Sequence, residues 1–467
     1  MTTPIRYGEP SRSEFARRWP VPSCPRRGGR WRAFALWSLW IVVPGLFQSV
    51  QATLPIEQWT TSKGTRVLFV RADAIPMIDI AIHFDAGGRH SAADRAGLAS
   101  LTASLLDAGS ADLDEDAIAE RFARTGAERS ASASADGATV SLRSLTSEPQ
   151  LTQAVGLLAR VMASPSFPEP VLAREKDRMI ARLRESATQP GTIAQRRFDG
   201  LLFGDHPYGR SATVDTVAAI TRADLQQFHT RNYVTSRAVI AMIGAVDRTR
   251  AESIAEALTA ELQRGEAAPP GQALPPPPLP ETVRIGHPAS QTHLLIGLRG
   301  IAYDDPDLLA LQLANHVLGG GGFVSRLYAE VREKRGLAYS VYSYFAPRSQ
   351  AGPFVIGLQT RKDQADQALA VVRETLERFV REGPTDGELA AARANLIGGF
   401  PLKLDSNRKI LSQLSLIGVN RLPTDWLERW PGRMAAVTRD EVMSAIARRL
   451  DPAQLVTVMV GAPDAPQ

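Results

Sequence analysis

Alternating apolar and polar residues mark several strands along the chain. In one segment of the first half, apolar side chains occupy every second position: Ile78, Ile80, Ile82 and Phe84. This alternation predicts a strand with one buried face. Because His83 falls on the opposite, polar face together with Asp79 and Ala81, we expect it to be a surface histidine. Residues 294–298 and 354–358 of the second half alternate in the same way.

Other segments have the spacing of helices. Leucines recur at positions 98, 101, 105 and 106, and Gly109 follows them as a helix stop. Ile118 and Phe122 predict a second helix, with Asp114 as its N-cap and Gly126 as its C-terminal stop. Strands interspersed with long helices, with hairpins between them, indicate an α+β layered unit.

Two matched segments recur along the chain at a constant offset of 217 residues. The equivalent pairs are Thr221 and Thr438, Gly244 and Gly461, and Asp247 and Asp464. Between the two copies, residues 269–280 read PPGQALPPPPLP, which favours an extended polyproline spacer over a proline-rich recognition motif. We therefore predict two homologous α/β-layered domains, each an antiparallel-rich sheet with helices, that form a clam-like pair. The domains would span residues 53–268 and 282–467, with a linker over residues 269–281.

A basic leader with an apolar run precedes the two halves. Residues 1–52 contain eight arginines, and the apolar run spans residues 33–47 (AFALWSLWIVVPGLF). Residues 49–52 (SVQA) follow, with small residues at the two positions that a signal peptidase reads, which completes the three-part pattern of a secretory signal. The run is shorter than the ~20 residues of a membrane-spanning helix, and Pro44 interrupts it. We expect a signal peptide over residues 1–52, export to the periplasm and no membrane span after cleavage; a retained anchor helix is the alternative.

The leader accounts for the basic character of the whole sequence. The chain has 54 Lys and Arg against 49 Asp and Glu, and without residues 1–52 the balance becomes 46 against 47. This near-neutral balance leaves no electrostatic footprint for nucleic acid. The only cysteine of the sequence, Cys24, also lies in the leader. Disulfides and cysteine-ligated metals are therefore not expected in the mature chain.

A run of glycines in the second half carries the most specific local signal. The four glycines are Gly319, Gly320, Gly321 and Gly322. A nucleotide-phosphate loop is not indicated, because no Gly-Lys-Ser/Thr follows them. Glycines also let a backbone lie against an extended peptide without a side-chain clash, and a flexible helix-entry loop is compatible with that function. Arg332 and Tyr339 follow the glycines, seven residues apart.

Taken together, the glycines, Arg332 and Tyr339 resemble the C-terminal signature of the pitrilysin/insulysin family of insulinase-like zinc peptidases. Mitochondrial processing peptidase and the core subunits of the cytochrome bc1 complex belong to the same superfamily. Residues 203–209 (FGDHPYG) also resemble a first-half motif of the family that is not catalytic by itself. The resemblance implies that Arg332 and Tyr339 bind the substrate carbonyl and stabilise the oxyanion of the tetrahedral intermediate. In well-studied enzymes one such donor contributes ~2.7–4 kcal/mol.

The metal motif of this family is altered in the chain. Family members carry His-x-x-Glu-His on a helix, where the histidines hold Zn²⁺ and the glutamate polarises the attacking water. The matching stretch is residues 97–106 (GLASLTASLL), with Ser100 and Ser104 at the histidine positions and Ala103 at the glutamate position. The third zinc ligand of the family is a glutamate further along the chain. By the family's spacing from Glu175, Arg182 occupies the position of that glutamate. Serine hydroxyls are poor zinc ligands and a guanidinium opposes the ion, so we expect no zinc on this chain.

Two-chain members of the family suggest how such a sequence functions. In them one chain carries the zinc motif, and the other carries the glycine-rich loop and the Arg/Tyr pair. The resemblance therefore implies a subunit of a heterodimeric zinc metallopeptidase that degrades or processes peptides, with the zinc in a paralogous partner. Arg332 and Tyr339 would complete the active site of that partner. The alternative is a non-catalytic scaffold or peptide-binding protein of the same fold; a peptidase active alone would need a metal site that the sequence does not provide.

Overall fold

The structure is a computed structural model that describes residues 54–269 and 271–461. The predicted signal peptide, Cys24 and the repeat residue Asp464 lie outside the described residues. Within these two ranges, no helix has both the length and the apolar character needed to cross a membrane. The described residues belong to one compact unit.

The first half builds a six-stranded sheet and a small two-stranded one. The strands are β1 (Glu57–Thr60), β2 (Arg66–Arg71), β3 (Met77–Phe84), β4 (Gly109–Ser110), β5 (Leu113–Asp114), β6 (Glu128–Ala133), β7 (Ala138–Leu145) and β8 (Ala238–Gly244). The helices are α1 (Leu98–Ser104), α2 (Glu115–Thr125), α3 (Gln150–Ala163), α4 (Glu169–Ser186), α5 (Pro190–Phe203), α6 (Val214–Ala218), α7 (Arg222–Asn232) and α8 (Arg248–Thr259). The main sheet has the order β1-β2-β8-β3-β7-β6, and only its β2–β8 pair is parallel.

The second half repeats this topology. Its strands are β9 (Glu281–Ile285), β10 (Gln291–Arg299), β11 (Val341–Phe345), β12 (Pro353–Arg361) and β13 (Val456–Val460). Its helices are α9 (Leu308–Asn315), α10 (Ala365–Glu382), α11 (Asp386–Gly398), α12 (Asn407–Val419), α13 (Trp426–Ala436) and α14 (Arg439–Arg449). The order β9-β13-β10-β12-β11, with a parallel β9–β13 pair, matches β2-β8-β3-β7-β6 strand for strand. The predicted α+β class with two homologous layered domains is confirmed.

The residues that identify the repeat have equivalent roles in the two halves. Thr221 caps α7 and Thr438 caps α14, and each does so as part of a capping box. A Cβ on Gly244 would lie 2.4 Å from the carbonyl oxygen that begins β3. On Gly461 it would lie 2.5 Å from the carbonyl oxygen that begins β10. Both positions require glycine because two strands of the sheet approach closely there.

Each half contributes one helix to the sheet of the other half. Helix α5 packs against β10 and β13, and α12 packs against β2, β3 and β8. Glycine allows both close approaches: a Cβ on Gly297 would lie 2.9 Å from Phe198 Cζ, and one on Gly418 would lie 2.5 Å from Val239 Cγ1. Leu68 on the first sheet therefore belongs to the hydrophobic core of the second half. The two halves are in direct contact through these exchanged helices.

This exchange of helices corrects the expectation for His83. Asp79 and Ala81 are only 5% and 4% exposed, and His83 is half-buried, because α12 covers the face of β3 that alternation marks as polar. The Asp79 carboxylate accepts hydrogen bonds from Arg143, and His83 Nδ1 lies 2.9 Å from Thr139 Oγ1. Burial lowers the pKa of His83 to about 4. His83 is therefore not a surface histidine.

The helix boundaries predicted around residue 110 are partly correct. Asp114 accepts a hydrogen bond from the Ala117 N–H and caps α2, and Gly126 ends α2 with φ of 66°. Both of these predictions are confirmed. Gly109 is not the stop of α1, which ends at Ser104, because Leu105 leaves the helical conformation and Gly109 lies in β4. Residues 105 and 106 fill the core from the loop that follows α1.

Candidate active site

The glycine-rich segment continues α9 as a π-helical turn over His316–Gly320. Gly319 is buried against β11, and a Cβ there would lie 2.4 Å from Ser343 Oγ and 2.7 Å from the Ser343 backbone nitrogen. Gly322 has φ of +62°, a conformation that side chains disfavour, and nothing lies within 4 Å of its Cβ position. Gly320 and Gly322 are exposed and Gly321 is half-buried. Gly319 thus serves internal packing. The next two glycines are also needed for close packing, because a Cβ on Gly320 would lie 2.5 Å from Asn315 Nδ2 and one on Gly321 would lie 2.6 Å from the His316 carbonyl oxygen. Of the four glycines, only Gly322 has open space around its Cβ position.

Asn315 fastens this segment to the neighbouring strand. Its amide Nδ2 donates a hydrogen bond to the Ser343 carbonyl oxygen at 3.0 Å, and Ser343 Oγ donates one to Asn315 Oδ1 at 2.7 Å. Ser343 lies in the middle of β11, directly against Gly319. The position of the glycine-rich loop is therefore coupled to the position of β11.

Arg332 and Tyr339 are close together in space. Arg332 lies in a second π-helical segment, Tyr328–Glu333, and Gly336 reverses the chain with φ of +62°. The guanidinium carbon of Arg332 lies 4.7 Å from the centroid of the Tyr339 ring, within cation–π range. Tyr339 is 83% exposed, whereas Arg332 is half-buried. π-Helical turns are rare and are frequently found at functional sites.

Two further aromatic rings surround the Arg332 guanidinium. Its Nη1 donates a hydrogen bond to the Tyr328 hydroxyl, and the ring of Tyr328 lies 4.8 Å from the guanidinium carbon. The ring of Phe323 lies at 5.8 Å, and it meets Tyr328 edge to face. Phe323 and Val324 are 72% and 79% exposed. The guanidinium is therefore held at the base of an exposed apolar surface, with Tyr339 at its edge.

Glu330 anchors the segment that carries Arg332. Its carboxylate accepts hydrogen bonds from Lys334 at 2.8 Å, Arg335 at 2.6 Å and Arg378 at 3.0 Å, and its side chain is only 12% exposed. The hydrogen bonds from Lys334 and Arg335 lower the pKa of Glu330 to about 2. The link to Arg378 ties the π-helical turn to α10.

The positions matched to the zinc motif lie on α1 and α4 in the first half. Ser100 and Ser104 are exposed, and Ser104 Oγ donates a hydrogen bond to the Leu101 carbonyl oxygen of its own helix at 3.1 Å. Ala103 is 1% exposed and contributes only a methyl group. Arg182 is exposed on α4, one turn after Met179. Met179 Cε lies 3.2 Å from the position of a Cβ on Gly97, so α4 packs next to the start of α1.

These residues do not fit a zinc ion. Two neutral hydroxyls, a methyl group and a guanidinium offer no thiolate, imidazole or carboxylate donor, which are the ligands that Zn²⁺ takes. Glu175, the acidic residue earlier on α4, is held in ion pairs with Arg178 at 2.6 Å and Arg174 at 3.2 Å. Among residues 54–269 and 271–461, no three His, Cys, Asp or Glu side chains group closely enough to hold a metal. No step of a reaction is therefore assigned to a metal at these positions.

The sequence identified Arg332 and Tyr339 but not the groups that support them. Tyr328, Phe323 and Glu330 lie within the same segment, and their contacts depend on the π-helical turn, which no periodicity indicated. The clamp between Asn315 and Ser343 joins residues 28 positions apart. The only feature of the sequence that indicates this pair of hydrogen bonds is the position of Asn315, directly before the segment that leads into the glycines.

Solved structures with the same architecture come from several bacteria. The peptidase M16 inactive domain from Pseudomonas fluorescens is 37% identical and superposes with a TM-score of 0.84 over 89% of this chain and 99% of that one. A protease from Helicobacter pylori is 19% identical, with a TM-score of 0.78 over 87% of this chain and 99% of that one. The duplicated α+β unit is therefore a fold found in bacterial peptidase structures.

Sequence comparisons give the family. Residues 66–215 match the family described as "Insulinase (Peptidase family M16)", and residues 219–396 match "Peptidase M16 inactive domain". An uncharacterized zinc protease of Streptomyces coelicolor is 31% identical over 317 residues, which cover 64% of this chain and 67% of that protein. One of Bacillus subtilis is 26% identical over 370 residues, or 79% and 88% of the two chains. The chain belongs to peptidase family M16, and the match to the inactive domain begins at residue 219 of the first half and extends to residue 396 of the second.

Proposed function

We propose that this chain is the non-metal subunit of a heterodimeric zinc metallopeptidase that degrades or processes peptides. The observation that carries the proposal is the Arg332–Tyr339 pair, which stacks at 4.7 Å beside a glycine-rich loop while the four zinc-motif positions hold Ser100, Ser104, Ala103 and Arg182. The name of the Pseudomonas fluorescens structure, an inactive domain, supports a chain without its own metal chemistry. The zinc-protease names of the relatives support the peptidase class.

In this proposal the partner holds the zinc and this chain supplies hydrogen-bond donors. The Tyr339 hydroxyl and the Arg332 guanidinium would bind the scissile carbonyl and stabilise the negative charge that develops on its oxygen. The exposed rings of Phe323 and Tyr339 would contact substrate side chains, and the exposed glycines Gly320 and Gly322 would lie against the extended peptide. The peptide would lie between the two chains, with the zinc on the partner and Arg332 and Tyr339 on this chain.

The same proposal includes export. The leader over residues 1–52 has the pattern of a secretory signal, and the periplasm of a bacterial cell is the destination we propose. A mature chain without cysteine suits such an oxidising compartment. N-terminal sequencing of the protein from its host would test this part, and an N-terminus near residue 53 is the expected result.

One observation favours a second candidate, a non-catalytic scaffold or peptide-binding protein. Arg332 already donates a hydrogen bond to the Tyr328 hydroxyl and lies against three rings, so packing alone could account for its presence. Exposure of Tyr339 favours the catalytic proposal, because a ring that is 83% exposed contributes little to packing. A related reading frame next to this one with an intact His-x-x-Glu-His would also favour the heterodimer.

Reconstitution tests the proposal. The chain is purified alone, the zinc-bearing relative encoded in the same genome is purified alone, and peptide cleavage is measured for each and for the mixture. We expect cleavage only from the mixture. Cleavage by this chain alone would overturn the proposal, and a mixture that binds peptide without cleaving it would support the scaffold.

A further inference from the structure

Tyr208, in the segment of residues 203–209 (FGDHPYG), links the two halves. Its ring is buried, with 4% exposure, while its hydroxyl reaches the turns of two hairpins. The hydroxyl donates a hydrogen bond to the Asp136 carboxylate in the β6–β7 turn of the first half. It also accepts one from the Gln350 N–H at 3.3 Å and lies 2.9 Å from Ser349 Oγ, both in the β11–β12 turn of the second half. We call Tyr208, Asp136, Ser349 and Gln350 the hairpin latch.

The Asp136 carboxylate is the centre of the hairpin latch. Besides the Tyr208 hydroxyl, it accepts hydrogen bonds from Ser349 Oγ at 2.7 Å and from the Ser349 N–H at 3.0 Å. Hydrogen bonds to an ionised carboxylate are roughly twice as strong as bonds between neutral groups. The guanidinium of Arg348 lies 4.6 Å from the centroid of the Tyr208 ring and adds a cation–π contact. The latch therefore joins equivalent hairpins of the duplicated fold through a charged acceptor.

The first-half side of the latch is a fixed anchor. The Gly88 N–H donates to the Ser134 carbonyl oxygen at 2.8 Å, and the Arg89 N–H donates to that of Ala135 at 2.9 Å. A Cβ on Gly137 would lie 2.8 Å from the Phe84 carbonyl oxygen, so the β6–β7 turn lies tightly against the end of β3. A carboxylate held in this way can act as a fixed point for the β11–β12 hairpin that it contacts.

The second-half side leads to the candidate active site. Among the described strands, β11 pairs only with β12 and is an edge of its sheet. It carries Ser343, which holds Asn315 and lies against Gly319, and it begins two residues after Tyr339. A shift of the β11–β12 hairpin would therefore move the glycine-rich loop and the backbone next to Tyr339 together.

We propose that Tyr208 and Asp136 are positioning residues, which fix the β11–β12 hairpin against the first half and thereby align the glycine-rich loop and Tyr339. Neither residue touches the reacting atoms. The catalytic consequence rests on the proposed function, whereas the structural consequence belongs to this chain alone. Misplacement of a positioned group by about 1 Å can reduce a rate by about a hundredfold.

Hydrogen exchange on the isolated full-length chain tests the structural part. Tyr208→Phe keeps the buried ring and removes the hydroxyl, and Ser349→Ala, on an exposed turn, serves as a second variant that leaves the core untouched. We expect amide exchange at residues 341–352 to accelerate about tenfold in both variants, while β13 remains unchanged. Tyr342→Phe removes a hydroxyl from the same hairpin but not from the latch, and it is the matched control.

Exchange at residues 341–352 that equals the wild-type rate in both variants would overturn the proposal.

A second experiment uses the complex with the zinc-bearing partner, in which Tyr208→Phe and Asp136→Asn should each lower kcat about tenfold with unchanged zinc content. The double variant should lose little more than either single one, because both remove the same link. If the wild-type complex cleaves no peptide, the proposed function fails, and the exchange experiment still decides whether the latch positions the hairpin.

Discussion

The guanidinium carbon of Arg332 lies 4.7 Å from the ring centroid of Tyr339, although Tyr339 is 83% exposed. The π-helical turn and Gly336 bring the two side chains together on one surface, next to the glycine-rich loop. Two donors that are already adjacent need little reorganisation to bind one developing oxyanion. This arrangement leads to a direct prediction for each of them.

Tyr339→Phe should lower kcat of the heterodimer about a hundredfold, because it removes one hydroxyl donor to the transition state. KM should change little, since the ring that contacts the substrate remains. Steady-state kinetics on a peptide substrate measure both constants. Tyr342→Phe is the control, because Tyr342 is also partly exposed but lies on the opposite face of β11 from Ser343 and the glycines. A Tyr339→Phe complex as fast as wild type would contradict the role of this hydroxyl.

Restoring the family ligands should restore metal binding. The variant combines Ser100→His, Ala103→Glu, Ser104→His and Arg182→Glu, which returns the donor types that zinc requires at the matched positions of α1 and α4. Metal analysis after dialysis should give about one zinc per chain for this variant and none for wild type. The triple variant that keeps Arg182 is the matched control and should bind far more weakly. A quadruple variant without zinc would contradict the alignment of these positions.

Gly418→Ala should destabilise the protein at the contact between the halves. The new methyl group would lie 2.5 Å from Val239 Cγ1 and 2.9 Å from Leu68 Cδ1, so α12 would be pushed off the first sheet. Overpacking of this kind costs about 1–3 kcal/mol. Gly156→Ala, on an exposed position of α3 with open space around it, should instead stabilise by about 0.5–1 kcal/mol. Denaturant unfolding of both variants measures the two changes in the free energy of unfolding. Equal changes of the same sign would contradict the close packing of α12 on the first sheet.

Burial of His83 predicts a dependence of stability on pH. Its pKa is lowered from 6.5 to about 4. Between these two pH values the unfolded chain binds a proton that the folded chain does not, so the free energy of unfolding falls as the pH falls. The contribution of this one group is at most about 3 kcal/mol. His83→Asn should lose less stability than wild type between pH 7 and pH 4.5 in denaturant unfolding, and identical losses would contradict the assignment.

Much of the fold follows from local patterns in the sequence. The offset between Thr221 and Thr438 predicts the duplication, because both residues cap equivalent helices through short-range hydrogen bonds. The environment of His83 could not be predicted in this way, since the helix that covers it comes from residues 407–419 of the other half. Alternation reports that a strand has two chemically different faces, but a polar face can be buried when it finds partners, as Asp79 does with Arg143.

The candidate site likewise contains residues that the sequence could predict and residues that it could not. Arg332 and Tyr339 are recognisable because their spacing and the preceding glycines form a local pattern. The aromatic surroundings of Arg332 depend on two π-helical turns, which leave no periodic signature. The link from Tyr208 to Asp136 and Ser349 spans 72 and 141 positions of sequence, so only the folded arrangement of the two hairpins reveals it.

Co-purification from the native host with metal analysis is the most direct test of whether this chain is the non-metal subunit of a heterodimer. The chain is isolated under native conditions, its partner is identified, and zinc and peptidase activity are measured before and after the two chains are separated. We expect one zinc per heterodimer that remains with a partner carrying an intact His-x-x-Glu-His, and activity that is lost on separation and regained on mixing. Zinc or peptidase activity that stays with this chain after separation would contradict the proposal.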